Sequence, residues 1–289
     1  MCGRVFAVWG HFDIGVRAGL RVSGAGGLSF LGLCLFAAVA SAQSDAPRTE
    51  IFTGFEASDN YASGYVGAGY AFGKAGLYER GFRLRAVGAF GRYHYDGTLL
   101  TEGVYVPTTF DGEDAFLSAL IGYQFRPGRL IVKLFAGLEA EDQHIVPHDP
   151  NNSVQGREVG LRLQAETWFD VSPRFFLSAD TSYGTAFQEY CALARLGLRV
   201  RPRLSLGLEG GALGNEEYNA GRGGGFARLN FRETEVTLSG GFTGNYLEDE
   251  PSGYVASAST ERSERPSWFE KKCTAGPAPA VLGLMSYRP

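Results

Sequence analysis

Residues Arg157–Phe169 read REVGLRLQAETWF, and the alternation in this stretch decides the fold. Val159, Leu161, Leu163, Ala165, Thr167 and Phe169 share one face of an extended chain. Glu158, Gly160, Arg162, Gln164, Glu166 and Trp168 share the other. Successive side chains of a strand point to opposite sides, so one face here meets an apolar medium and the other a polar one. The pattern persists for more than ten residues, about what a tilted strand needs to cross a bilayer. Strands of soluble sandwiches are usually shorter, about 5–6 residues.

The same signature recurs on both sides. In DAFLSALIGYQF (Asp114–Phe125), Ala115, Leu117, Ala119, Ile121, Tyr123 and Phe125 line up. In RLIVKLFAGLEAE (Arg129–Glu141), Leu130, Val132, Leu134, Ala136 and Leu138 alternate with Ile131, Lys133, Phe135, Gly137 and Glu139. Strands are expected near 50–57, 64–72, 81–95, 115–125, 130–140, 158–169, 175–183, 191–200, 203–212, 224–231, 235–243 and 253–259. Their number, about twelve, is even, as in bacterial barrels. Short connections at Arg126–Arg129, Asp170–Arg174, Arg201–Arg203 and Arg232–Thr234 alternate with longer polar ones at Gly97–Asp114, Glu141–Gly156, Ser182–Tyr190 and Leu213–Gly223. Periplasmic turns and extracellular loops alternate in this way. Aromatic pairs near strand ends (Tyr70 and Phe72, Tyr93 and Tyr95, Tyr123 and Phe125, Trp168 and Phe169, Phe175 and Phe176) read as interfacial girdles. The fold class is therefore all-β: an antiparallel up-and-down transmembrane β-barrel, with membrane lipid as its surroundings. A soluble antiparallel protein would explain the alternation but not the long strands with one polar face and alternating loop lengths.

Composition agrees. The chain has 289 residues, 41 glycines, 13% aromatic and 20% charged residues. Glycine lacks the three-residue period of collagen, and the aromatic content excludes a disordered chain. A net charge of -4 with no basic block argues against a nucleic-acid partner. Residues 1–42 read as a cleaved Sec-type signal peptide: Arg17 and Arg21 flank an apolar run that ends at Ala40-Ser41-Ala42, with cleavage before Gln43. Leu33 before Cys34 excludes a lipoprotein signal. Cys191 and Cys273 are then the cysteines left, a pair whose spacing permits a disulfide without implying one. The barrel is placed at 43–259 and an irregular tail at 260–289.

The stretch GALGNEEYNAGRGGGFARL (Gly211–Leu229) raises other chemistries. A phosphate loop needs its glycines to open a helix, and no helical period follows. Glycines entering a strand here permit a bulge or close packing. Glu216 and Glu217 are neighbours that point apart, so with Tyr218 they read as a solvated or sugar-binding loop edge. His144 and His148 stand four apart, but the prolines of HIVPHDP exclude a helix, leaving only a loop-borne metal site with Asp142 or Asp149. A rim hydrolase would draw on His94, His144, Asp180 and Ser182, and no nucleophile elbow marks any of them. No catalytic, cofactor or metal residues are assigned. The candidate lumen residues are Arg83, Arg85, Lys133, Glu139, Glu158, Arg162, Gln164, Glu166, Asp180, Arg195, Arg199, Glu209 and Arg228. Paired with one another they plug the barrel; left open, they line a channel in which Tyr65, Tyr93 and Tyr95 stack on sugars.

The stretch GALGNEEYNAGRGGGF resembles the signature of the cellulose biosynthesis protein BcsS family. So do IFTGFEASDNYASGYVGAGYAFG, GFRLRAVGAFGRYHYDG, IGYQF, VKLFAGLEAEDQHIVPHDPNNSVQGREVGLRLQAE and FFLSADTSYGTAFQEYCALARLGLRV, together covering roughly Glu50 to Gly253. The resemblance implies an outer-membrane barrel, non-catalytic and without cofactor, that is auxiliary to bacterial cellulose production or export. Its implied partners are a glucan chain and components of the cellulose synthase complex. The chain departs from a barrel's usual end. SGYVASASTER begins a strand whose alternation fades after about Tyr254, and no terminal aromatic follows, so the closing strand is expected to be defective.

Overall fold

The computed structural model describes residues 47–73, 76–231, 234–247 and 251–262. The expected signal peptide and the tail beyond Arg262 lie outside the described residues. Strands run over Thr49–Ala57 (β1), Tyr61–Ala71 (β2), Gly81–Thr101 (β3), Val104–Phe125 (β4), Leu130–Val146 (β5), Gly156–Asp170 (β6), Phe175–Gly184 (β7), Tyr190–Arg201 (β8), Leu204–Gly214 (β9), Asn219–Phe231 (β10), Thr234–Gly244 (β11) and Pro251–Arg262 (β12). Each pairs antiparallel with its sequence neighbours, and β12 pairs with β1, closing the barrel. Closure leaves no edge strand with unpaired backbone groups.

All the expected strands are present, and the differences concern where they end. β12 does not falter after Tyr254: Val255–Arg262 pair in register with Ala57–Glu50. Ser257, Ser259 and Thr260 hide the alternation, because small polar residues on both faces carry no hydropathy contrast. The connection expected at Gly97–Asp114 is a β-ribbon turning at Glu102 and Gly103, whose φ values of 51 and 82 fit a type I′ hairpin. β5 continues to Val146, and β9 and β10 are joined by 215–218 alone, so the glycine cluster lies within β10 and its register runs without a bulge.

Outward-facing side chains are apolar over a broad belt that includes Leu84, Leu117, Leu138, Leu163, Leu196, Leu208 and Leu238, all exposed. Tyr70, Phe72, Phe82, Tyr123 and Phe125 rim the short-turn end in edge-on or tilted contacts of 4.7–5.2 Å. The outer wall turns polar toward the other end, at the ion pairs Arg92–Glu113 (2.8 Å) and Arg157–Asp142 (2.5 Å). From Phe82 to Arg92 the strand covers about 33 Å, or about 25 Å along the axis at the usual tilt, matching the apolar band of an outer-membrane barrel. The girdle expectation is corrected for Tyr93, Tyr95, Trp168 and Phe176. Each stands one or an odd number of residues away from an outward position, so the pleat turns it into the lumen.

Candidate functional site

The charged residues expected in the lumen stand on the inward phase of their strands, with Arg83, Arg85, Glu139, Arg162, Arg195, Glu209 and Arg228 buried there and Glu158 exposed at the end of β6, and the register explains two of the contacts. Lys133 stands opposite Glu166 across the β5–β6 ladder, and Nζ lies 3.0 Å from Oε2. Arg195 stands opposite Glu209 across β8–β9, at 2.7 Å. Other contacts join strands that are not neighbours in the barrel. Arg85 of β3 pairs with Glu166 of β6 and lies 3.5 Å from Glu50 of β1. Arg222 of β10 reaches Glu56 of β1 at 2.9 Å, with its guanidinium 4.0 Å from the Tyr254 ring centroid. These braces tie together strands two or three apart around the barrel.

Glu209 is the busiest carboxylate. It accepts from Arg195, from Ser239 Oγ at 2.9 Å and from Tyr254 OH at 2.7 Å, with Arg222 3.7 Å away. Glu139 is equally enclosed: Arg162 donates to Oε2 at 2.9 Å and the Ala186 N–H to Oε1 at 3.1 Å, while Arg162 also contacts Glu189 and Ser182. Gly160 and Gly184 make room for it, since a Cβ on Gly184 would stand 2.2 Å from Glu139 Oε1. Arg228 pairs with Glu235 at 3.4 Å and lies over Trp168 and Phe176, which stack on each other at 4.3 Å. Arg199 pairs with Asp170 below them. Taking one partner from such a buried pair typically costs about 3–5 kcal/mol, because the other charge stays buried.

Both ends are covered. At the short-turn end, residues 76–79 pass under the barrel and their carbonyls accept from Arg83 (Gly76 at 3.1 Å) and Gln124 (Leu77 at 3.1 Å, Glu79 at 2.9 Å). At the other end Tyr93, Tyr95, Phe110 and Ile145 form an apolar cluster, joined by Tyr246 and Leu247 from the β11–β12 connection. The β5–β6 connection folds over it: Tyr95 OH donates to Asp149 at 2.8 Å and receives from Asn152 at 3.0 Å. Glu216 and Glu217 do not present a free acidic edge. Glu217 accepts the Ser153 N–H (2.8 Å) and hydroxyl (2.5 Å), Glu216 accepts from Gln188 (2.9 Å), and together they staple three connections. Tyr218 donates to the Gly244 carbonyl at 2.7 Å. Burial pushes the phenols of Tyr218 and Tyr246 up to about 12, so both stay protonated at neutral pH. Beneath them a cavity of about 40 Å³ is lined by Glu56, Asp114, Tyr61, Tyr93 and Tyr246, among others. That is room for about three waters. Tyr93 and Tyr95 are occupied by their aromatic neighbours and do not present open faces to a sugar.

The residues considered for catalysis are scattered. His94, His144 and His148 are all exposed, and Ser182 bonds to Arg162. Asp142 pairs with Arg157 on the outer wall, while Asp149 holds Tyr95, so the loop-borne metal site does not assemble. Among the described residues no group of three or more His, Cys, Asp or Glu could hold a metal. Sequence reasoning passed over Glu50, Glu56, Glu189 and Arg222. The signal for the first two was present, since Glu50, Phe52, Gly54 and Glu56 alternate on β1, but their partners lie far away in sequence.

No curated protein matches this chain. Among solved structures, the chain is similar to the KdgM porin (8% identity, TM-score 0.42, covering 73% of this chain and 98% of that one). It is similar to the translocator domain of the autotransporter NalP from Neisseria meningitidis (12%, 0.45, 82% and 94%). It is also similar to outer membrane phospholipase A from Escherichia coli (9%, 0.38, 74% and 92%). These likenesses extend to barrel architecture and no further. The family described as cellulose biosynthesis protein BcsS matches residues 51–262, from the third residue of β1 to the last residue of β12. The family unit is thus the closed barrel itself, and the chain belongs to the cellulose biosynthesis protein BcsS family.

Proposed function

We propose that this protein is a non-catalytic barrel of the bacterial outer membrane that assists cellulose production or display with its lumen closed, rather than as the tunnel through which the glucan passes. Family membership supports the link to cellulose. The apolar belt and its aromatic rim support the membrane, with lipid as the immediate neighbour. The observation that carries the closed reading is the set of buried braces inside the lumen, Arg85–Glu166 and Arg222–Glu56, beneath a mouth packed with Tyr93, Tyr95 and Tyr246. A glucan chain passing through would have to break these buried pairs and unseat the aromatic cluster. The protein then acts through its surface, on other components of the cellulose machinery or on the emerging glucan. Two measurements test this reading. Purified protein in planar bilayers should show no conductance that cello-oligosaccharides block. Deleting the gene in a cellulose-producing strain should reduce cellulose yield or surface display. Blockable conductance would overturn the closed reading, and unchanged cellulose would overturn the accessory role.

A further inference from the structure

The register of β5–β9 sorts large and small residues into rows on the outer wall. Leu130, Phe169, Leu177, Leu196 and Leu208 stand opposite one another from strand to strand. The next row toward the long-loop end holds Thr167, Ala179, Ala194 and Gly210. Large side chains beside small ones leave a groove of about 790 Å³ in the wall. It opens outward between exposed apolar residues such as Leu177 and Leu208. Rows cross tilted strands, so the groove runs at about 45° to the membrane normal, and a hydrocarbon chain can lie along it.

The short turns beneath the groove are basic. They carry Arg126 and Arg129 (β4–β5), Arg174 (β6–β7), and Arg201 and Arg203 (β8–β9), all exposed. Each turn places a proline next to an arginine, at Pro127, Pro173 and Pro202, which fixes φ there. Asp170, the carboxylate at these turns, is engaged by Arg199, and Arg126 donates to the Tyr78 carbonyl. Arg129, Arg174, Arg201 and Arg203 have no carboxylate partner among the described residues. The opposite end of the molecule is acidic, with Asp96, Glu102, Asp111 and Glu113 exposed.

We propose that the groove and the arginines form one site for an anionic phospholipid of the periplasmic leaflet. An acyl chain lies in the groove, and Arg174 with Arg201 or Arg203 holds the headgroup phosphate. The proposal rests on the outer-membrane reading above. Ala179 stands five residues from Arg174, about 17 Å along the strand and about 12 Å in depth at the usual tilt. The hydrocarbon of one leaflet is about 15 Å deep, so the groove lies in the leaflet whose headgroups the turns meet. A guanidinium donates paired N–H bonds to phosphate and gives up its hydration more readily than an ammonium. A zwitterionic headgroup brings its own cation against the arginines, which favours a lipid with net negative charge. An acidic protein would satisfy the arginines without filling a groove sunk in the bilayer.

The test uses full-length protein extracted from the outer membrane in mild detergent, with lipid binding read by native mass spectrometry. Phosphatidylglycerol and phosphatidylcholine of identical chains are titrated separately. One phosphatidylglycerol should bind per barrel, more tightly than phosphatidylcholine. An arginine near an anionic lipid is worth about fivefold in affinity, so Arg174→Gln with Arg201→Gln should weaken phosphatidylglycerol about 25-fold and leave phosphatidylcholine nearly unchanged. A Cβ at Gly210 meets the Arg222 carbonyl oxygen at an ordinary 3.7 Å, so Gly210→Leu should fold, fill the groove and weaken both lipids. Arg92→Gln, at the other end, should change neither. Equal binding of the two lipids, or a double variant that binds like wild type, overturns the headgroup site. Unchanged affinity in Gly210→Leu overturns the groove. A double variant that keeps its lipid but loses a co-purifying acidic protein makes the arginines a protein-docking surface instead. Heat-modifiable mobility reports folding of each variant, and no readout involves cellulose, so a failed lipid site is distinct from a failed barrel or accessory role.

Discussion

Gly223 and Gly224 are adjacent and chemically identical, yet the pleat gives them opposite circumstances. A Cβ on Gly224 would stand 2.3 Å from the Gly240 carbonyl and 2.6 Å from the Tyr254 hydroxyl, whereas one on Gly223 would meet nothing within 4 Å. Gly224→Ala should therefore destabilise the barrel by about 1–3 kcal/mol, as overpacking does. Gly223→Ala should be neutral or stabilise it by up to about 1 kcal/mol, since it removes glycine's excess freedom from the unfolded chain. The midpoint of the heat-induced mobility shift checks both, and equal effects would contradict the assigned faces. The glycine run had been legible only as a strand entry with close packing. Which glycines are needed becomes clear once the register places Tyr254 beside one of them. Lumen residues followed a similar rule. Arg162, Glu166 and Lys133 were identifiable from alternation within one strand. The Arg222–Glu56 brace joins residues 166 apart in sequence, and no local pattern announces it.

At the scale of elements, the sequence reveals strands where the chain crosses the belt and loses them where it leaves it. Within the belt one face meets apolar surroundings, so hydropathy alternates. Beyond Asp96 and Thr109 the β3–β4 ribbon is largely exposed on both faces, alternation fades, and the ribbon reads as a loop. The ribbon above Asp96 and Thr109 is paired only with itself, since β2 ends its pairing at Tyr93 and β5 at Asp111. Replacing Gly97–Thr108 by Asn-Gly should leave the barrel folded, with its heat-modification midpoint little changed. Its cost is the packing of Leu99 on the aromatic cluster, about 1–2 kcal/mol. Phe110→Ala, one step further in, empties a site that is 1% exposed and should cost about 3–5 kcal/mol. A ribbon deletion more harmful than Phe110→Ala would mean that the ribbon carries the mouth rather than decorating it.

At the scale of the whole molecule, the barrel is an inverted globule, with charge inside and hydrocarbon outside, and β6 shows the inversion across one peptide bond. Arg162 points inward to Glu139, and Leu163 points outward, 58% exposed, near the middle of the strand's belt. In water, replacing so exposed a leucine with arginine would change stability by no more than about 0.5 kcal/mol in either direction. In a bilayer the same change places a guanidinium among acyl chains, at about 2–4 kcal/mol near the midplane. Leu163→Arg should therefore lower the stability of the barrel folded into lipid vesicles, measured by denaturant titration. Leu163→Ala, which keeps the surface apolar, should cost much less. The same arginine moved outward along the strand, at Val159 beside Arg157, lies at the polar border of the belt and should cost close to nothing. A penalty that falls from Leu163 to Val159 locates the bilayer on the barrel wall. A flat profile would show that the exposed leucines face water or a protein partner instead.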